Sequence, residues 1–348
     1  MFLKWTHPSI RLTGRWTPYN EALGDVSAFL QQDNHSTSTT AAGSSLEIAF
    51  SGRMAELHFD LRYRNTQPMP HVWLQVDGGA RVEAALDRIL RVDAGCEGTH
   101  VVRLVYKSAM EVLHRWYLPL QGVVSFMGAE VDAPAELPAD DRPLIEFVGD
   151  SITEGVLTDA LYGDEVDFAT QQWRRPNDDD NTATYAALTA ERLNLRAMFQ
   201  GYGAVGVTRG GCGSVPRAAL IYPYVIDGVP YKGDVPDVIM INHGANDRGN
   251  GAAMYREGYL ELLDVIRGMR PHALIICLSA FCGGFNTELK DIVDEFNRTR
   301  GDQVKYISSF GWVPEEPLHP LRDGHRTIAD HLAPIVAGLL GEAGIAHS

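Results

Sequence analysis

Two patterns of apolar and polar positions follow one another along the chain. In Glu56–Tyr63 the residues alternate, so that Leu57, Phe59, Leu61 and Tyr63 share one face of a strand and polar side chains share the other. The same alternation recurs in His71–Asp77, which runs into a Gly-Gly turn at 78–79, in Val101–Lys107, and less regularly in Gly122–Val131. Short strands separated by turn signals predict a β-sandwich or jelly roll over residues 1–135. The segment Gln31–Ser45 is rich in Ser, Thr, Asn and Gly and reads as a long surface loop.

Residues 133–143 carry three prolines and little apolar content, as a linker does. Beyond it the pattern changes. Apolar runs at Leu144–Val148, Ala197–Phe199, Val238–Ile241, Ala273–Leu278 and Val304–Ile307 alternate with helical periodicity in Tyr185–Leu193, Met254–Met269, Glu288–Phe296 and His325–Leu340. Continuous Val/Ile/Leu strands separated by helices predict a parallel sheet covered on both faces. The fold class expected for residues 143–348 is therefore α/β, a three-layer α/β/α domain.

Composition narrows the function. The chain has 348 residues, 45% hydrophobic and 22% charged, which suits two folded domains and excludes a mainly disordered chain. Its 30 basic and 45 acidic residues give a net charge of −15, which repels phosphate backbones and anionic lipid, so neither nucleic acid nor a membrane surface is expected as a partner. Cys96, Cys212, Cys277 and Cys282 form no CxxC pair and read as ordinary buried thiols, with no metal site. No signal-like or membrane-spanning apolar run is visible, and a cytoplasmic location is the expectation. Nothing in the pattern sets an oligomeric state.

In open parallel sheets the reactive groups lie beyond the carboxyl ends of the strands, which selects polar residues just after an apolar run. The first run leads into Gly149-Asp150-Ser151-Ile152-Thr153-Glu154-Gly155, where Ser151 is placed either as a nucleophile or as a helix cap. The run at 238–241 leads into Asn242-His243-Gly244-Ala245-Asn246-Asp247, where an Asn amide can donate to a developing oxyanion and an Asp can hold a loop. The run at 197–199 leads into Gly201-Tyr-Gly203-Ala-Val-Gly206. The helix-hostile residues after it argue against a dinucleotide site and for a backbone oxyanion donor. A Pro-punctuated loop before the last helix holds Glu316, His319, Asp323 and His325, and one of the two histidines is a candidate base.

Taken in order, Gly-Asp-Ser, a strand-end glycine, Gly-x-Asn-Asp and a late His-Pro resemble the blocks of the SGNH (GDSL-type) hydrolases over about residues 143–345. With a β domain in front, the chain resembles carbohydrate esterase family 2, whose members resemble acetyl-xylan esterases. The resemblance implies Ser151 as nucleophile and His319 as general base. It implies the N–H of Ser151, that of Gly201 (with Gly203 as the alternative) and the amide of Asn246 as oxyanion hole. Asp150, Gly244 and Asp247 would support the loops. Where the family has an orienting aspartate this chain has Glu316, which either accepts from His319 or leaves a Ser–His dyad.

An acetylated carbohydrate is the implied substrate, with no cofactor or metal. Trp312 is placed either to stack on a sugar ring or to pack the last loop, and residues 156–182, with Trp173, read as a polar insertion at the pocket rim, whose Asp178–Asp180 are read as a solvated loop in preference to a calcium site. A lipid or thioester esterase and an inactive carbohydrate-binding protein are the competing readings.

Overall fold

The computed structural model describes residues 1–18, 35–61, 68–160 and 176–347. Tyr63 and Trp173 of the sequence reading lie outside them. The N-terminal part is a single antiparallel sheet of nine strands among the described residues: β1 (Phe2–Lys4), β2 (Ile10–Thr13), β3 (Thr17–Pro18), β4 (Thr37–Thr39), β5 (Ser45–Phe59), β6 (His71–Val76), β7 (Val82–Ala85), β8 (Ile89–Ser108) and β9 (Val124–Pro134). The long strands β5 and β8 carry it. Their pairing shifts register between Gly52 and Met54, so each strand contributes two differently directed halves. Leu46, Ile48, Phe50, Leu57, Val102, Leu104 and Tyr106 fill the enclosed core.

The second part is built on five parallel strands: β10 (Leu144–Gly149), β11 (Arg196–Gly201), β14 (Val238–Asn242), β15 (Leu274–Leu278) and β16 (Lys305–Ile307). They lie in the order β11-β10-β14-β15-β16; β12 (Tyr224–Ile226) and β13 (Val229–Pro230) form a separate hairpin. Alternate residues face opposite sides, as pleating requires. Ile239, Ile241, Ile275 and Cys277 pack with Tyr255, Leu262, Leu263, Leu289 and Phe296, whereas Val238, Met240, Ile276 and Leu278 pack with Tyr185, Ile328, Leu332 and Val336. Helices therefore cover both faces: α4 (Ala252–Met269) and α5 (Asn286–Arg300) one, α2 (Tyr185–Arg192) and α6 (Arg322–Glu342) the other, with the short α1 (Ser151–Glu154) and α3 (Ala218–Ile221) at the strand ends. None of the described helices is long and apolar enough to cross a membrane.

Three expectations need correction. Ser36–Ser44 are buried rather than exposed, and Thr37–Thr39 form β4; their hydroxyls bond inward, as in Thr37 Oγ1 to Thr17 O (3.1 Å) and Thr40 to Tyr202 Oη (3.1 Å). Asp178–Asp180 are also buried, not solvated. Asp179 accepts from Leu157 N, and Asp180 accepts from Trp73 Nε1 and pairs with Arg322. Of the thiols only Cys277 and Cys282 are buried, while Cys96 is exposed and Cys212 intermediate.

The two parts meet across a polar seam without solvent. Arg15, from the loop after β2, donates Nε to Glu146 of β10 (2.9 Å), and its Nη1 to the carbonyls of Tyr222 (2.7 Å) and Tyr224 (3.1 Å). Tyr222 Oη donates to the other oxygen of Glu146 at 2.9 Å. Both charges are fully buried, and each oxygen or nitrogen that is buried finds a partner of opposite polarity.

Candidate active site

The strand order places β10 between β11 and β14, with the chain leaving in opposite directions from it. This is the switch point where a crevice opens beyond the carboxyl ends of an open α/β sheet. Ser151 follows β10 and Asn246 follows β14, so the two candidate groups stand at that crevice.

Local sequence explains the serine's position. Gly149 ends β10, and a Cβ there would lie 2.1 Å from Thr153 Oγ1, so only glycine lets α1 turn this tightly off the strand. Asp150 caps α1, its Oδ1 accepting from Ile152 N at 2.9 Å. Ser151 is thus the first residue of the helix rather than its cap, and its N–H is one of those left unpaired at a helix start.

His319 comes from the loop between β16 and α6. Its Nε2 lies 2.9 Å from Ser151 Oγ, within hydrogen-bond reach. His325 is not the base. It is wholly buried, its Nδ1 accepts from Tyr185 N at 3.1 Å, and burial, with His319 and Arg322 nearby, pushes its pKa down to about 3. Glu316 is exposed and makes no hydrogen bond or ion pair with His319, so the structure does not bring the expected third group to the imidazole.

Asn246 donates from Nδ2 to Asp150 Oδ2 (3.2 Å) and to Val205 O (3.1 Å), which ties the ends of β14, β10 and β11 together. Asp247 is buried behind it and accepts from Val207 N, Thr208 N and Thr208 Oγ1. Gly244 takes a φ of +141°, open to glycine and closed to other residues. Burial pushes the Asp150 carboxyl up to about 7 against the lowering by Ile152 N–H, and Asp247 and Glu154 add negative charge around it. Burial likewise holds His243 down to about 4, so that ring is neutral.

The glycines after β11 make close contact with α1. Gly201 ends the strand, and a Cβ on it would stand 2.6 Å from Glu154 N, so it provides close packing of β11 on α1. Gly203 donates its N–H to Glu154 Oε2 at 2.6 Å. The next amide, Ala204, has no hydrogen-bond acceptor among the described residues. It sits at φ +58° in a turn closed by Val205 N to Tyr202 O. Gly203 O accepts from Cys212 N at 2.8 Å, and because a trans peptide holds C=O and N–H on opposite sides, the Ala204 N–H points away from Cys212. Sequence reading did not consider this residue because it sought the backbone donor at a strand-end glycine. It also missed Glu154, although the residue lies in the first turn after Ser151.

Trp312 is half-buried, stacked on His331 of α6 at 5.4 Å and packed against the core of that face, the packing role of the two considered. Ala245, next to Asn246 in the chain, forms a small apolar cluster with Ala280 and Cys282, against which Leu318, next to His319, packs.

Fold and site together define a class: a parallel α/β unit with a Ser–His pair at its switch point, set against an N-terminal antiparallel sheet. The chain matches no protein-family model. It is 28% identical over 335 residues to the cellulase/esterase CelE of Acetivibrio thermocellus, covering 86% of this chain and 37% of that protein, so it spans little more than a third of the relative's length. The fold is that of solved family two carbohydrate esterases. The one from Cellvibrio japonicus superposes with a TM-score of 0.76 at 20% identity, covering 98% of each chain. The one from Clostridium thermocellum in complex with cellohexaose gives 0.73 at 23%, covering 95% of this chain and 99% of that one. The acetyl xylan esterase Est2A from Butyrivibrio proteoclasticus gives 0.74 at 20%, covering 98% and 99%.

Proposed function

We propose that this chain is a serine esterase that removes acetyl groups from acetylated saccharides through an acyl-enzyme. The observation that carries the reading is the 2.9 Å approach of His319 Nε2 to Ser151 Oγ at the switch point of the sheet. His319 takes the hydroxyl proton as Oγ attacks the ester carbonyl, and it returns that proton to the departing sugar alcohol. Water, activated by the same ring, then releases acetate.

The oxyanion is assigned to the N–H groups of Ser151 and Ala204, the latter in place of Gly201 or Gly203, and to Asn246 Nδ2. Asn246 serves by exchanging one of its two present acceptors for the oxyanion, a rearrangement common between apo and substrate-bound sites. Glu316 is exposed, so it is not assigned as the group that orients His319. No cofactor enters this mechanism. The chain is assigned two units, a jelly roll over 1–135 and a three-layer α/β/α domain over 143–348, and the saccharide preference rests on likeness to esterases whose names carry it.

Hydrolysis of 4-nitrophenyl acetate, butyrate and octanoate by wild type and Ser151→Ala tests this. Activity highest on acetate and absent from the variant supports it and calls for acetylated xylo-oligosaccharides next. Preference for octanoate moves the substrate to lipid esters, and equal activity in both proteins removes Ser151 from the mechanism.

A further inference from the structure

We infer that Arg115, in the segment joining β8 and β9, is a positioning residue of the catalytic site, holding Glu154 so that its carboxylate fixes the turn carrying the Ala204 amide. This rests on the esterase reading above and extends the site into the N-terminal unit.

The contacts form one chain. Arg115 Nη1 and Nη2 engage both oxygens of Glu154, the second at 3.2 Å, and Nη2 also donates to Glu111 O at 3.2 Å. Arg115 is wholly buried and Glu154 nearly so, and the guanidinium lies 5.2 Å over the Tyr202 ring. Glu154 belongs to α1, three residues after Ser151, and its N–H bonds back to Asp150 O at 2.9 Å. The same Oε2 that faces Arg115 accepts from Gly203 N at 2.6 Å. One carboxylate thus couples the nucleophile's helix to the turn after β11. Gly203 is held on its far side by Cys212 N, so both ends of the residue are fixed and the orientation of the following amide is fixed with them.

A buried ion pair is weak evidence of stability, because two desolvated charges recover little more than they lose, and apolar replacement of both is often neutral. What apolar residues cannot supply is an acceptor for Gly203 N–H. Displacing a catalytic group by about 1 Å costs on the order of 10²-fold in rate, which sets the scale of the effect.

The test compares kcat, KM and melting temperature on 4-nitrophenyl acetate for wild type, Ser151→Ala, R115M/E154M and R115M/E154Q. The expected result is a folded R115M/E154M with kcat down about 10–100-fold and KM nearly unchanged. R115M/E154Q, which restores a neutral acceptor but leaves it without the Arg115 grip, should recover only part of that loss. A wild-type kcat in R115M/E154M, full recovery in R115M/E154Q, or no recovery in it overturns the inference. If R115M/E154M does not fold, R115K carries the same test: it keeps the charge but not the two-pronged grip, so a lower kcat is expected and an unchanged one overturns the role. A wild type lacking Ser151-dependent turnover sinks the esterase reading itself. The clamp is then read from hydrogen exchange at the Gly203 amide, slow in wild type and fast in R115M/E154M if it stands, equally slow in both if it does not.

Discussion

Asn246 donates its side-chain amide to Oδ2 of Asp150 at 3.2 Å, so the loops ending β14 and β10 meet at one carboxyl whose proton is held to about 7 by burial. The folded protein therefore binds this proton more tightly than the unfolded chain does. A carboxyl raised in this way leaves stability full below about pH 4 and erodes it as pH rises through about 7, by on the order of 2–4 kcal/mol. Asp150→Asn keeps a cap for Ile152 N–H and removes the ionisation. Urea midpoints at pH 5 and pH 8 should fall more steeply between those values in wild type than in the variant. Parallel slopes would count against the buried carboxyl.

For the proposed Ser151–His319 pair, Ser151→Ala and His319→Ala should each lower kcat by about 10⁴–10⁶-fold, and the double variant should be no worse, because the two groups act as a unit. Additive losses would mean that the 2.9 Å contact is not the working one.

Glu316 lies exposed, without a bond to His319. Glu316→Gln should change kcat by less than about threefold, well below the effect of losing a group that orients a catalytic imidazole. A drop of a hundredfold or more would show that the side chain swings in during turnover.

Ala204 holds a left-handed backbone that costs an L-residue about 1 kcal/mol. Ala204→Gly should remove part of that strain, less the entropy of the extra freedom, and leave the N–H in place. Melting temperature should stay level or rise, with kcat within about threefold of wild type. A large loss of kcat with unchanged stability would indicate that the methyl group itself shapes the pocket.

Much of the architecture was legible because the burial of β10, β14 and β15 is written into short continuous apolar runs, and the candidate site residues Ser151 and Asn246 lie just after two of them. Ser151 and Asn246 are picked out by that rule, while the Pro-flanked loop ahead of α6 offers both His319 and His325, and the family resemblance selects His319. Arg115 and Glu154 are 39 positions apart and obey no periodicity, since their contact exists only once the two units are docked. Ser36–Thr40 and Asp178–Asp180 misled for a related reason. Polar side chains read as solvated until distant partners such as Tyr202, Trp73 and Arg322 are known to satisfy them.

The seam at Arg15 bears on how the chain can be divided. Glu146 sits in the middle of the strand that leads to Ser151, and its counter-ion is supplied from 131 residues earlier. A fragment starting at the linker would leave that carboxylate without its counter-ion, and breaking a buried pair costs about 3–5 kcal/mol. Synthesis from the N-terminus avoids this, since Arg15 and the sheet that carries it are already made when β10 leaves the ribosome. The β unit is then less an appendage than the template on which the parallel sheet completes its charge balance.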